Sequence, residues 1–135
     1  LLPADGYLRE YLAVVEGAPR QDAGVIDAPI GLESGVRRCV CADGKPAVTH
    51  YWVIQRGPRS LVRLRLQTGR THQIRVHMRH LGCPVAGDSL YGSPLPQLDG
   101  RFALHSASLS FTHPLTGRQV TCESPLPAAL AALLS

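Results

Sequence analysis

From residue 61 the chain alternates. Val62, Leu64 and Leu66 are interleaved with Arg63, Arg65 and Gln67, the period-two pattern of a strand with one buried face. Thr68-Gly69-Arg70-Thr71 ends the alternation, and Gly69 is expected to supply the backbone angles of a sharp turn. Beyond Thr71, the residues Ile74, Met78 and Leu81 recur at helical spacing, and Gly82 stands where a helix C-cap belongs. His72, Arg75 and Arg79 then share the face opposite that apolar stripe. A strand thus delivers a cationic helix face beside a turn, which suits a phosphate or a carboxylate.

The same pattern predicts the remaining elements. Residues 8–17 read as a strand with Tyr11, Ala13 and Val15 on one face and Leu12 and Val14 on the other. Residues 18–35, rich in Gly, Pro and Asp, read as a connection with a short extended piece at 28–30. Residues 36–41 and 47–55 are expected to pair as a hairpin across Asp43-Gly44, with Cys39 and Cys41 on opposite faces. Residues 102–111 and 118–123 form a second predicted hairpin, turned at His113-Pro114-Leu115-Thr116-Gly117, and 127–134 a short terminal helix. About seven short strands and two short helices make the class α+β, with a mixed, mainly antiparallel sheet and short flanking helices.

Composition sharpens this picture. The chain has 135 residues, 44% of them hydrophobic, so it is one domain at most. No apolar run approaches the ~20 residues of a membrane span. It starts at Leu1 and its one methionine is Met78, so we read it as a fragment of a longer protein. Four cysteines without a Cys-x-x-Cys pair argue for free thiols in a reducing compartment, and the cytoplasm is the expected location. The net charge of +4 understates the local field. Between Asp43 and Asp88 there is no acidic residue, while Lys45, Arg56, Arg59, Arg63, Arg65, Arg70, Arg75 and Arg79 all fall there. Such a window points to a polyanion, nucleic acid first.

The standard catalytic spacings do not apply. His72, His77 and His80 do not share one helical face, and the arginines around them would repel a divalent cation, so solvated or structural histidines are expected rather than a metal site. Ser106 and Ser108 beside His105 lack the elbow of a hydrolase nucleophile, and Gly69-Arg70-Thr71 lacks the lysine of a phosphate-binding loop. Arg75, one turn into the helix, is placed to pair with an anion from another segment. Tyr11 by itself reads equally as a core tyrosine.

Taken together, Gly69-Arg70-Thr71-His72-Gln73-Ile74-Arg75-Val76-His77 and the segment from Leu81-Gly82-Cys83-Pro84 to Gly87-Asp88-Ser89-Leu90-Tyr91-Gly92 resemble the signature of the RluA-type RNA pseudouridine synthases. The strand around Tyr11, the stretch from Asp43 to Tyr51, and Ala103-Leu104-His105-Ser106-Ala107 match further motifs in the family's order. The resemblance implies an enzyme that breaks the glycosidic bond of a uridine in RNA and rejoins the base through carbon, with no cofactor or metal. The target nucleotide must leave its stack to react. Ribosomal RNA is the first implied substrate class and transfer RNA the second. The resemblance makes Arg75 the partner that holds the catalytic aspartate ionised, and Tyr11 the ring that stacks on the uracil and assists proton transfer. Leu104 is implied to pack near the base, while Arg70 and His72 support the turn or touch RNA.

One departure matters. The family's aspartate stands in an Arg-Leu-Asp segment upstream of the tyrosine strand, and here the one upstream aspartate is Asp5, without that motif. Asp99 lies in a late loop and Asp88 belongs to the Gly-Asp-x-x-Tyr-Gly segment. We therefore expect the C-terminal portion of a catalytic domain, inert by itself, whose N-terminal half carries the aspartate. The rival expectation is a non-catalytic RNA-binding module.

Overall fold

The computed structural model describes residues 6–135, so Asp5 lies outside the described residues. In chain order the elements are β1 (Leu8–Glu16), β2 (Ala23–Asp27), β3 (Ile30–Ser34), β4 (Arg37–Val40), β5 (Val48–Gln55), β6 (Arg59–Leu66), α1 (Gln73–His80), β7 (Leu104–Thr112), β8 (Gln119–Glu123) and α2 (Ala128–Ala131). Six strands form one sheet in the order β2-β5-β6-β1-β7-β8, and β3 and β4 form a separate ribbon. Every pairing among the described residues is antiparallel.

Register fixes the two faces of the sheet. Tyr11 lies opposite Leu64, Ala13 opposite Val62, and Tyr51 opposite Leu64 from the other side. Residues paired in register project to the same face. That face is the core: Ala13, Val62 and Leu64 are fully buried, with Ile74 and Met78 of α1 packed in the same cluster. Arg63, Arg65, His50 and Trp52 occupy alternate positions and face away. The period-two reading of residues 61–66 therefore holds to the residue.

Three expectations are corrected. The segment 18–35 is not mere connection but carries β2 and β3. β2 is an edge strand that buries only Ile26, so it leaves almost no alternation to read. Nor do residues 36–41 and 47–55 pair with each other: β4 pairs with β3, and β5 lies between β2 and β6. The Asp43-Gly44 turn instead folds the chain against β3, where the Lys45 N–H donates to the Ile30 carbonyl (2.8 Å) and the Ile30 N–H to the Lys45 carbonyl (2.9 Å). A Cβ on Gly44 would stand 2.6 Å from the Ile30 backbone, so only glycine permits that approach. Cys39 and Cys41 are two apart and share a side, close enough for their thiols to hydrogen-bond; desolvation and that neighbour push the Cys41 thiol up.

Candidate active site

The site is built where the two ends of α1 are tied to the sheet. At the N-terminal end the left-handed residue is His72 (φ 57°, ψ 23°), not Gly69, whose φ is not positive. A non-glycine residue held there carries about 1–3 kcal/mol of strain, a feature that clusters at functional sites. Gln73, buried behind it, accepts from the Thr68 hydroxyl (2.7 Å) and the Arg70 N–H (2.9 Å) and donates to the Val48 carbonyl and Thr49 hydroxyl (both 3.0 Å). The turn is thereby bolted to β5. One turn on, His77 is fully buried, with Nδ1 on the Thr49 hydroxyl (2.8 Å) and Nε2 on the Ala28 carbonyl (2.9 Å). It is a structural histidine, kept neutral because burial pulls its pKa below the ordinary 6.5.

At the C-terminal end, Gly82 (φ 83°) completes a Schellman closure: its N–H donates to Arg79 and that of Cys83 to Met78. The chain then runs along β1, the Ala86 N–H donating to Val14 (2.8 Å) and the Glu16 N–H to Pro84 (2.9 Å). Gly87 turns it at φ 79°, and Asp88 arrives beneath Arg75. Arg75 Nε donates to Asp88 Oδ2 and Nη2 to Oδ1, each at 2.8 Å. Arg75 thus pairs with an anion from another segment, and that anion is Asp88, not the upstream aspartate that the resemblance implies as its partner.

Asp88 is fully buried and accepts four hydrogen bonds. Its Oδ1 also accepts the N–H groups of Leu90 and Tyr91, both at 3.1 Å. Burial alone would raise its pKa, but the Arg75 guanidinium and the two backbone donors outweigh that and hold the carboxyl below the ordinary 3.8. Held by four hydrogen bonds and without access to solvent, Asp88 is a positioning group rather than a nucleophile. Arg75 is held on its faces as well, with Phe102 at 4.1 Å and Tyr91 at 5.1 Å from the guanidinium carbon to the ring centres. Its Nη1 bonds to none of the described residues. The clamp leaves one edge of the guanidinium for a further acceptor.

The other candidates sit around this clamp. Tyr91 Oη accepts the Arg38 N–H (2.9 Å), so its own proton goes to Nδ1 of His72 (2.8 Å). Burial, then the Arg75 and Arg38 charges, lower the His72 pKa, which fits that neutral acceptor. Arg70 Nε donates to the Pro46 carbonyl (2.7 Å), joining the turn to the 43–46 loop. Tyr11 and Leu104 lie on neighbouring strands at the margin of the core, Leu104 opposite Ala13 and Tyr11 opposite Ser106, on the face that α1 covers. Sequence reading missed Asp88, Tyr91, Phe102 and Gln73 as site residues. The Asp-x-x-Tyr spacing was a signal for a local turn, but not for the arginine thirteen positions earlier that it serves. Among the described residues no three of His, Cys, Asp and Glu are grouped to hold a metal ion. The buried Cys83 thiol, pushed up to about 11 by burial, is no nucleophile at neutral pH.

An antiparallel sheet that presents a clamped, partly committed arginine beside a tyrosine defines an α+β domain with an anion-handling site. Known proteins share the architecture. The solved structure of human RNA pseudouridylate synthase domain containing 1 superposes with a TM-score of 0.76 at 30% identity, over 96% of this chain and 60% of that one. The chain belongs to the RNA pseudouridylate synthase family, whose model matches residues 2–80. Among curated relatives, the uncharacterized RNA pseudouridine synthase YjbO of Bacillus subtilis is 48% identical over 129 residues, covering 93% of this chain and 45% of that protein. Ribosomal large subunit pseudouridine synthase D of Nitrosomonas europaea is 47% identical over 137 residues, covering 93% and 40%. The chain thus spans less than half the length of these relatives. No helix among the described residues is long and apolar enough to cross a membrane.

Proposed function

We propose that this chain is the C-terminal portion of an RNA pseudouridine synthase catalytic domain, and that the whole enzyme isomerises specific uridines in structured RNA. Ribosomal RNA is the first substrate class, supported by the relatives named for the large ribosomal subunit, and transfer RNA is the second. In the reaction the N1–C1′ bond of the uridine breaks and a C5–C1′ bond forms, while C5 loses a proton and N1 gains one. The observation that carries this reading is the Arg75 clamp: Asp88 takes one edge of the guanidinium and the rings take its faces, leaving Nη1 for a second carboxylate. A catalytic aspartate from an N-terminal portion of the same enzyme would accept from that edge and be held ionised. Tyr11 stacks on the flipped base and assists proton transfer at C5, and Leu104 packs beside it.

The test is pseudouridine formation in ribosomal RNA by the enzyme with its N-terminal portion restored. We expect turnover there, none from this chain alone, and a loss of about a thousandfold in Arg75→Ala, the scale of removing a preorganised donor from a reacting charge. Tyr11→Phe should keep RNA affinity and lose rate. An unchanged rate in Arg75→Ala would refute the role given to Arg75. Tight RNA binding with no turnover, even with the aspartate portion present, would instead favour the non-catalytic RNA-binding module.

A further inference from the structure

Tertiary structure redistributes the positive charge that the sequence concentrates between residues 43 and 88. Arg56 pairs with Asp22, Arg59 with Glu16, Arg65 with Glu10 and Arg75 with Asp88. Arg38, Lys45, Arg63, Arg70 and Arg79 have no carboxylate partner among the described residues, and three of them, Arg38, Lys45 and Arg70, line a single cleft of about 480 Å³. Its walls are the β3–β4 ribbon, the 43–45 loop and the 69–71 turn. One carboxylate, Asp43, also lines the cleft, against the three cations.

The cleft is built rather than incidental. The reciprocal bonds between Ile30 and Lys45 fix one wall, and the Arg70 bond to Pro46 fixes the other. Arg38 Nε is buried without any hydrogen-bond partner, the one such side-chain nitrogen or oxygen among the described residues. A buried guanidinium nitrogen left unpaired is costly, and an anion bound in the cleft by the same guanidinium would offset that cost electrostatically. The Arg38 N–H also bonds to Tyr91, which bonds to His72, so the cleft is tied directly to the Arg75 clamp.

We propose that this cleft is a subsite for a backbone phosphate of the RNA substrate, gripped by Arg38, Lys45 and Arg70. It rests on the reading of the protein as an enzyme acting on RNA, and adds where the strand is anchored. Arginine's planar fork suits a phosphate's paired oxygens, and Lys45 adds a mobile point charge. Anchoring one phosphate beside His72 and Tyr91 would fix the strand's register relative to Arg75. The subsite contributes affinity and orientation, not base recognition.

Binding of a short uridine-containing stem–loop RNA, measured by fluorescence anisotropy across a salt series, tests this. Lys45 is exposed, so Lys45→Gln leaves the fold intact, and a cooperative unfolding transition checks Arg38→Gln. Each variant should weaken binding roughly five- to tenfold and reduce the slope of log Kd against log salt by about one. Arg38→Lys should keep most of the slope, and Arg118→Gln in the β7–β8 turn should change neither quantity. RNA bound with wild-type affinity and slope by Arg38→Gln and Lys45→Gln would overturn the subsite while leaving the proposed enzyme standing. A wild-type chain without salt-dependent RNA affinity would likewise overturn the subsite, and the turnover assay of the restored enzyme decides the proposed function separately.

Discussion

His72, His77 and His80 are close in sequence and chemically alike, yet the fold gives them three different environments. His72 is strained at the head of α1 and accepts from Tyr91; His77 is sealed in the core; His80 is exposed. For His77 the environment has a measurable consequence. Its Nε2–H must donate to the Ala28 carbonyl and its Nδ1 must accept from Thr49, an arrangement that needs the neutral ring. Its folded-state pKa lies below the unfolded 6.5, so the stabilisation is complete above 6.5 and is lost as pH falls through the folded value. Urea unfolding at a series of pH values should show stability declining below that point. His77→Ala should remove this limb and cost about 2 kcal/mol, from unsatisfied partners and lost packing. A flat profile in the wild type would count against the buried neutral ring.

At the scale of elements, the informative piece is the segment after α1. It has no repeating hydrogen bonds of its own, yet it is as fixed as a strand because β1 holds it at Val14 and Glu16. Gly87 is the hinge that delivers Asp88. Its φ of 79° suits glycine, and a Cβ there would stand 2.7 Å from Leu98 Cδ1 and 2.8 Å from the Arg101 carbonyl. We expect Gly87→Ala to destabilise by about 2–3 kcal/mol. In the restored enzyme its rate should also fall more than RNA affinity, because Asp88 and hence Arg75 would be displaced. Thermal unfolding and single-turnover rates check the two halves of that statement. Elements with a strong apolar face, β1, β6 and α1, were legible from periodicity. β2 and β3 were not, because most of their residues are exposed and each buries only one, Ile26 or Ile30, too few to show an alternation.

Across the whole molecule, charge is the quantity that sequence and structure describe differently. The acid-free window is real along the chain, but antiparallel pairing places Glu10 and Glu16 of β1 beside Arg65 and Arg59 of β6. These paired cations lie on the sheet. Of the cations without a carboxylate partner, Arg38, Lys45 and Arg70 gather at the cleft, while Arg63 stays on β6 and Arg79 on α1. Glu16→Gln and Arg59→Gln should therefore alter stability by less than about 1 kcal/mol each, as exposed pairs do. Arg59→Gln should also weaken RNA binding far less than Arg38→Gln. Chemical denaturation and the same anisotropy titration decide both points. Equal losses from the two arginine variants would mean that a diffuse field, rather than a cleft, attracts the RNA.

What the sequence determined by itself was whatever local chemistry dictates: the buried face of β6, the apolar stripe of α1, the glycine that ends it, the second hairpin and the family's motifs around Arg75 and Tyr11. Side-chain periodicity and turn chemistry act over a few residues, so they are written in neighbouring letters. The partner of Arg75, the strained backbone at His72, the separate β3–β4 ribbon and the meeting of Arg38, Lys45 and Arg70 at one cleft were decided by tertiary structure alone. Each depends on which distant segments meet. Asp88 reaches Arg75 because β1 carries the intervening chain, and Arg38 reaches the site because Tyr91 holds β4 to it. Register between strands and long-range hydrogen bonds select those meetings, and neither is visible in the order of residues.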